Sequence, residues 1–386
     1  MHLKIKKIIK FTLLQIRGLF LLFVSIFTFS MRKKKLDKNK LEKVLVIALR
    51  RVGDAIVSIP TFRAIKENLP QSELTVFANS YAQDILERIK YIDNLLTYEK
   101  GASFFQKAGL MKKLSGNQYD LAVDLTCDYS LEGALLSYLS KAKYRVGYNI
   151  YRRGFLFNRA VKNENGSLHI INVLLNIVKS IDLDTQDNSL NISASPEAEE
   201  AVRQFLRERS IKAKDLLLGV HPGGYYPTQR WLRERFAAVA DKVIERYKAR
   251  VVLIGGPGEE EIISQIADYM KNKAIIFLDR PVKELLALIQ FCHLLICNNS
   301  GPLHMATALG TPTVSTMGPT IPERWWPYGQ EHIVLRKDLG CVPCNEGTCR
   351  IETFDCMRLI TVEEMLAAVE KQIHNIVRIK KSWNER

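Results

Sequence analysis

Long uncharged apolar runs, cysteine and acidic charge are all scarce in this chain of 386 residues. Residues 18–31 form a charge-free apolar run of fourteen, which as a helix would rise about 21 Å, short of a hydrocarbon core of roughly 30 Å. Seven cysteines are too few for a disulfide scaffold, and their odd number fits a reducing compartment. Acidic residues number 41 against 56 Lys and Arg, a net charge of +15. The deficit is local. Residues 1–43 hold twelve Lys/Arg and two Asp/Glu, so the other 343 residues are only +5. A nucleic-acid partner is therefore not expected from charge alone. Apolar residues at 47% and charged residues at 25% exclude a wholly disordered or collagen-like chain.

The leader, residues 1–43, places this apolar stretch between two basic clusters. Extended back to Phe11 the stretch is long enough to span a membrane, but Arg17 then lies inside it. Lys4, Lys6, Lys7 and Lys10 compete with Arg32, Lys33, Lys34 and Lys35 for the cytoplasmic side. The segment FTFSMRKKK offers no small-residue cleavage site for a secretory signal. The leader is read as an apolar, basic helix anchoring the protein to the inner face of the cytoplasmic membrane, its lysines drawn to anionic headgroups. A true span, and a natural start at Met31, stay open as alternatives.

From residue 44 on, short β-branched runs alternate with helix-length amphipathic segments, the pattern of parallel sheets covered by helices. Strands are expected at 44–49, 74–78, 94–99, 121–125 and 144–148, with a helix from the first glycine turn through about Leu69. A second series is expected at 216–224, 249–258, 274–279, 294–299 and 312–318. The polar, aperiodic stretch 184–199 between the series reads as a linker. Two Rossmann-like α/β domains follow, residues 44–190 and residues 191–386, the latter with a terminal helix. Ligands of such folds sit beyond the carboxyl ends of the strands, and the cleft between two domains is the natural site.

The turns after the strands carry the chemistry. In ALRRVGDAIVSIP, Asp54 suits a helix N-cap and, with Arg50 and Arg51 before it, also suits a carboxylate serving an anionic substrate. HPGGYYPTQRW brings two glycines, Gln229 and Arg230 to a strand end, where backbone can approach a ligand and Arg suits phosphate oxygens. GGPGEEE is not G-x-G-x-x-G, which argues against a dinucleotide dehydrogenase. Its Glu259 either answers the helix dipole or accepts hydrogen bonds from a ribose. In NNSGPLHMATALG, Asn299, Ser300 and Gly301 precede a small-residue helix whose N-terminus suits a diphosphate, with His304 in its first turn. Cys341, Cys344, Cys349 and Cys356 stand at spacings of two, four and six residues, compatible with a structural zinc, with disulfides or with unligated thiols.

The segments VLVIALRRVGDAIVSIPTFRAIKENLP, HPGGYYPTQRWLRERFAAVADKV, LIGGPGEEE and LICNNSGPLHMATALGTPTVSTMGPTIPERWWPYG resemble, in this order, those of glycosyltransferase family nine. These are the bacterial lipopolysaccharide heptosyltransferases, and the resemblance covers roughly residues 44–370. It implies a GT-B fold, with two Rossmann-like domains facing a cleft, acceptor bound by the first and nucleotide-sugar by the second. It implies an inverting, metal-independent transfer of a sugar, best read as heptose from ADP-heptose, to the lipopolysaccharide inner core or a related lipid-linked glycan. No cofactor is then required. Asp54 matches the general base, Arg50 and Arg51 lie on the acceptor side, and Ser300, Gly301, His304 and Arg230 would hold the leaving diphosphate. Glu259 matches a carboxylate near the ribose, and the cysteine cluster resembles one in many members similar to the second-heptose enzyme.

Two positions depart from the family pattern. Gln229 stands where relatives commonly have a Lys two residues before the tryptophan, and Asn299 stands where many have Asp. Alternative readings are a nucleotide-sugar epimerase or hydrolase on the same fold, or a non-catalytic glycolipid-binding member. No oligomeric state follows from the sequence.

Overall fold

The computed structural model describes residues 36–99, 101, 103–162 and 168–384. The helix expected in the leader lies outside the described residues. Among the described residues, no helix is long and apolar enough to cross a membrane. The chain divides into two compact units, Met1–Asn188 and Ser189–Arg386, with the change of unit inside the polar stretch 184–199.

The first unit holds a parallel sheet of β1 (Lys43–Ala48), β2 (Glu73–Asn79), β3 (Asn94–Tyr98), β4 (Leu121–Asp124), β5 (Tyr144–Asn149) and β6 (Arg159–Lys162), in the order β3-β2-β1-β4-β5-β6. Val44, Leu45, Val46 and Ile47 are all fully buried, as expected for a central parallel strand covered on both faces. The helix Ile59–Asn68 buries Phe62 and Ile65, and it packs against the mostly apolar helix Ile170–Lys179. The single helix expected after the first turn is two, Val52–Val57 and Ile59–Asn68. Pro60, which has no amide hydrogen to donate, stands in the opening turn of the second, and the Ser58 hydroxyl donates to the Asp54 carbonyl at 2.7 Å.

The second unit repeats the design with β7 (Leu217–His221), β8 (Arg250–Gly255), β9 (Ile275–Leu278), β10 (Leu294–Asn298), β11 (Thr313–Thr316) and β12 (His332–Leu335), in the order β12-β11-β10-β7-β8-β9. Its core gathers Val239 and Val243 of the helix Arg233–Tyr247 with Met365, Val369 and Ile373 of the C-terminal helix Val362–Asn384. Trp231 anchors this core, 2% exposed, with its indole N–H donating to the Ile360 carbonyl at 3.0 Å and its ring edge-on to Phe236 at 5.0 Å.

Both sheets have the doubly wound order in which strand direction of progression reverses at the first strand. In the first unit the reversal lies between β1 and β4, and in the second between β7 and β10. The crevice beyond the carboxyl ends of such a pair is where an open parallel sheet binds its ligand.

Candidate active site

Asp54 occupies that position in the first unit. It is the third residue of the helix Val52–Val57, with Arg51 as N-cap, so the cap role expected for Asp54 belongs to its neighbour. Its Oδ2 reaches back to accept from the Arg51 amide at 3.1 Å, while Oδ1 lies 3.2 Å from Arg50 Nε. The Asp54 side chain is 14% exposed and shares the wall of a small cavity with Ala48, Arg50, Ser58, Leu125 and Cys127. Arg50 also reaches across the crevice, its guanidinium 3.4 Å from Asp128 Oδ2 on the loop after β4. Burial disfavours the Arg50 charge, but Asp54, Cys127 and Asp128 together raise its pKa above the ordinary arginine value. Arg51 is exposed at the start of the helix. Asp128 was not legible as a site residue, because nothing local in CDYSLEG ties it to Arg50.

In the second unit, β7 ends at His221 beside β10, in register with Cys297. His221 Nε2 lies 3.4 Å from Glu259 Oε2, and its Nδ1 is 3.5 Å from the Ser300 hydroxyl. Glu259 Oε2 also accepts from the Gly256 amide at 2.9 Å. Burial alone would push the Glu259 carboxyl up, but His221, the Gly256 amide and the Arg230 charge hold it below the ordinary glutamate value. Close packing here depends on a glycine, since a Cβ added at Gly223 would stand 1.9 Å from Glu259 Oε1.

Asn298 ties these parts together and is a residue the sequence reading passed over. Fully buried, its Oδ1 accepts from the Trp231 amide at 3.0 Å and the Thr316 hydroxyl at 2.7 Å. Its Nδ2 donates to the carbonyls of Pro222 and Gly223 at 2.7 and 2.9 Å. One amide thus fixes the glycine turn, the end of β11 and the tryptophan segment. Its place as last residue of a strand at the reversal point was the available signal.

The helix Gly301–Leu309 starts at the N-cap Ser300, whose hydroxyl makes no cap bond and donates instead to the Asn298 carbonyl at 3.3 Å. A Cβ at Gly301 would meet nothing within 4 Å, so the first turn is open to a ligand. His304 is 5% exposed, its ring 5.8 Å from that of Trp325. Asn299 Nδ2 donates to the Trp325 carbonyl at 3.0 Å and so holds that ring's segment. Arg230 Nε braces the glycine turn through the Gly224 carbonyl at 2.8 Å. Gln229 bridges the Tyr226 amide and the Thr320 hydroxyl at 3.4 and 3.3 Å.

Residues 108–354 match the family model of glycosyltransferase family 9 (heptosyltransferase). The chain belongs to this family. A lipooligosaccharide heptosyltransferase 2 of Campylobacter jejuni is 24% identical over 329 residues, covering 83% of this chain and 96% of its own. Among solved structures, a family 9 glycosyltransferase of Veillonella parvula aligns with TM-score 0.78 at 22% identity, covering 89% of this chain and 99% of that one. The E. coli ADP-heptose lipopolysaccharide heptosyltransferase II aligns with TM-score 0.72 at 21% identity, covering 88% and 99%. With these neighbours, the two six-stranded units are the Rossmann-like halves of a GT-B glycosyltransferase, and the protein is a glycosyltransferase enzyme of the heptosyltransferase family.

Cys341, Cys344, Cys349 and Cys356 of this family 9 member are free thiols, so the disulfide alternative is not realised. The thiols of Cys341, Cys344 and Cys349 lie near enough to Cys356 to act on it electrostatically. Burial first, then these three neighbours, push the Cys356 thiol up to about 11. Among the described residues, no group of three or more His, Cys, Asp or Glu is placed to hold a metal ion.

Proposed function

We propose that this family 9 member is an inverting, metal-independent heptosyltransferase. It moves heptose from ADP-heptose to a hydroxyl of the lipopolysaccharide inner core or a related lipid-linked glycan, at the inner face of the cytoplasmic membrane. The observation that carries this reading is Asp54: a carboxylate at the reversal point of the first sheet, gripped by Arg50 at 3.2 Å and facing a cavity. Inversion in one displacement asks for one base and a stabilised leaving group. Asp54 would take the proton of the acceptor hydroxyl as its oxygen attacks the anomeric carbon, with the first unit binding the acceptor and Arg50 and Arg51 on its side.

The second unit would bind the donor. Glu259 has the surroundings to accept from ribose hydroxyls while staying ionised. The first turn of the helix Gly301–Leu309 supplies backbone dipoles for the departing diphosphate, with Ser300, His304 and Arg230 beside it. Asn299 and Gln229 contribute through the Trp325 and Thr320 segments they hold. Attachment of the leader to the membrane rests on its apolar stretch together with its basic clusters.

Asp54→Asn tests the reading. With ADP-heptose and inner-core glycolipid followed by mass spectrometry, the variant should bind ADP as the wild type does and lose transfer by about a hundredfold or more. Full transfer by Asp54→Asn would refute the assignment, and release of free heptose without acceptor would favour a hydrolase. A screen of other nucleotide-sugars tests the donor independently.

A further inference from the structure

Arg153 is fully buried in the first unit, yet the scheme above gives it no role. It opens the short turn Arg153–Leu156 after β5. Tyr151 and Arg152 before it have φ of 49° and 61°, two successive left-handed residues that carry side chains. Such a conformation is held only when its surroundings demand it.

What is gained is the placement of one guanidinium. Its Nε donates to the Tyr148 carbonyl at 2.9 Å, and its two terminal nitrogens donate to the carbonyls of Asp128, Ser130 and Thr126. Three alternate carbonyls of the loop after β4 therefore converge on a single planar cation. Asp124, also fully buried and last in β4, is the counter-charge, with Oδ2 3.9 Å from the guanidinium. Its Oδ1 accepts from the Thr126 amide at 2.9 Å. Gly133 lets the next helix start against this pair, since a Cβ there would stand 2.1 Å from Asp124 Oδ1. Asp128, whose carbonyl Arg153 holds, places its carboxylate 3.4 Å from Arg50, which is 3.2 Å from Asp54.

We propose that Arg153 is a positioning residue for sugar transfer: by gathering the carbonyls of Thr126, Asp128 and Ser130 it fixes Asp128, which aims Arg50 and through it Asp54. The inference rests on the reading of Asp54 as the base. The guanidinium serves the four carbonyls of Tyr148, Thr126, Asp128 and Ser130 from one rigid planar fork, whereas an ammonium offers only three donors on a flexible stem.

The test is a double-mutant cycle in the full-length enzyme, with ADP-heptose and inner-core glycolipid as substrates. Asp128→Asn and Arg153→Lys should each lower kcat about tenfold or more and leave the donor KM unchanged, as expected when a base is held slightly out of place. The double variant should be no worse than the poorer single one, because both act through the same contact. Additive losses, a raised donor KM, or full kcat in Asp128→Asn would overturn the proposal. Asp128 is 41% exposed, so its variant folds independently of the buried pair. Should Arg153→Lys not fold, Asp124→Asn replaces it in the cycle, because it loosens the same guanidinium. Asp54→Asn separates the two levels of the reading. If it keeps turnover, the base assignment fails; if it loses turnover while Asp128→Asn keeps full kcat, only the role of Arg153 fails.

Discussion

His221 Nε2 stands 3.4 Å from Glu259 Oε2, which joins the end of β7 to the carboxylate after β8. The same oxygen is fixed by the Gly256 amide at 2.9 Å, and Oε1 fills the space where a Cβ at Gly223 would come within 1.9 Å. Gly223→Ala must therefore push this carboxylate aside. The atom displaced is the end of a side chain, so the variant should fold with a Tm near wild type. Its donor KM should rise about tenfold with kcat little changed, the effect of losing roughly one charge-assisted hydrogen bond. Added to Glu259→Ala, the same change should cost nothing more. A wild-type KM in Gly223→Ala would remove Glu259 from donor binding.

Asp124 makes the stability of the first unit depend on pH. Burial pushes its carboxyl up to about 6 against the opposing pull of Arg153 and Thr126. Between the ordinary value of 3.8 and about 6, the native state holds a proton that the unfolded chain has released. Stability from this group is therefore lost as pH rises through that window, by at most about 3 kcal/mol for a gap of this size. Urea unfolding followed from pH 4 to pH 7 should show the falling contribution in the wild type and a flatter profile in Asp124→Asn. An unchanged slope in the variant would place the titration elsewhere.

The central strands and the turns that follow them were legible because buried parallel strands are written as continuous apolar runs bounded by glycine. The edge strands β6 and β12 were not. RAVK and HIVL are four residues long, and β6 alternates half-buried and exposed positions while β12 is only half-buried throughout, so neither carries a full apolar run. Asp54, Glu259, Ser300 and His304 could be picked out because each lies in the turn, or the first helical turn, that follows a strand. Asn298 and His221 escaped because they are the last residues of strands, where a polar side chain looks like the strand simply ending. Arg153 and Asp128 lay beyond local reading altogether. Their link runs through main-chain carbonyls 23 to 27 residues away in sequence, and only the fold brings these together.

Gln229 and Arg230 pose the remaining question of donor charge, since the family resemblance expects a Lys at the first of them. Gln229 is neutral, and its two hydrogen bonds at 3.3 and 3.4 Å are long ones that tie Tyr226 to Thr320. Arg230 uses its Nε on the Gly224 carbonyl, which sets the guanidinium beside the glycine turn, and its charge is felt at Glu259. If either residue meets the donor diphosphate as a cation, it is Arg230. Arg230→Ala should raise the donor KM about tenfold or more, whereas Gln229→Ala should stay within about threefold of wild type. The wild-type KM should also climb with ionic strength, and Arg230→Ala should blunt that climb, since a screened charge cannot be screened twice. The opposite ranking would move the donor contact to Gln229 and leave Arg230 as a brace of the glycine turn.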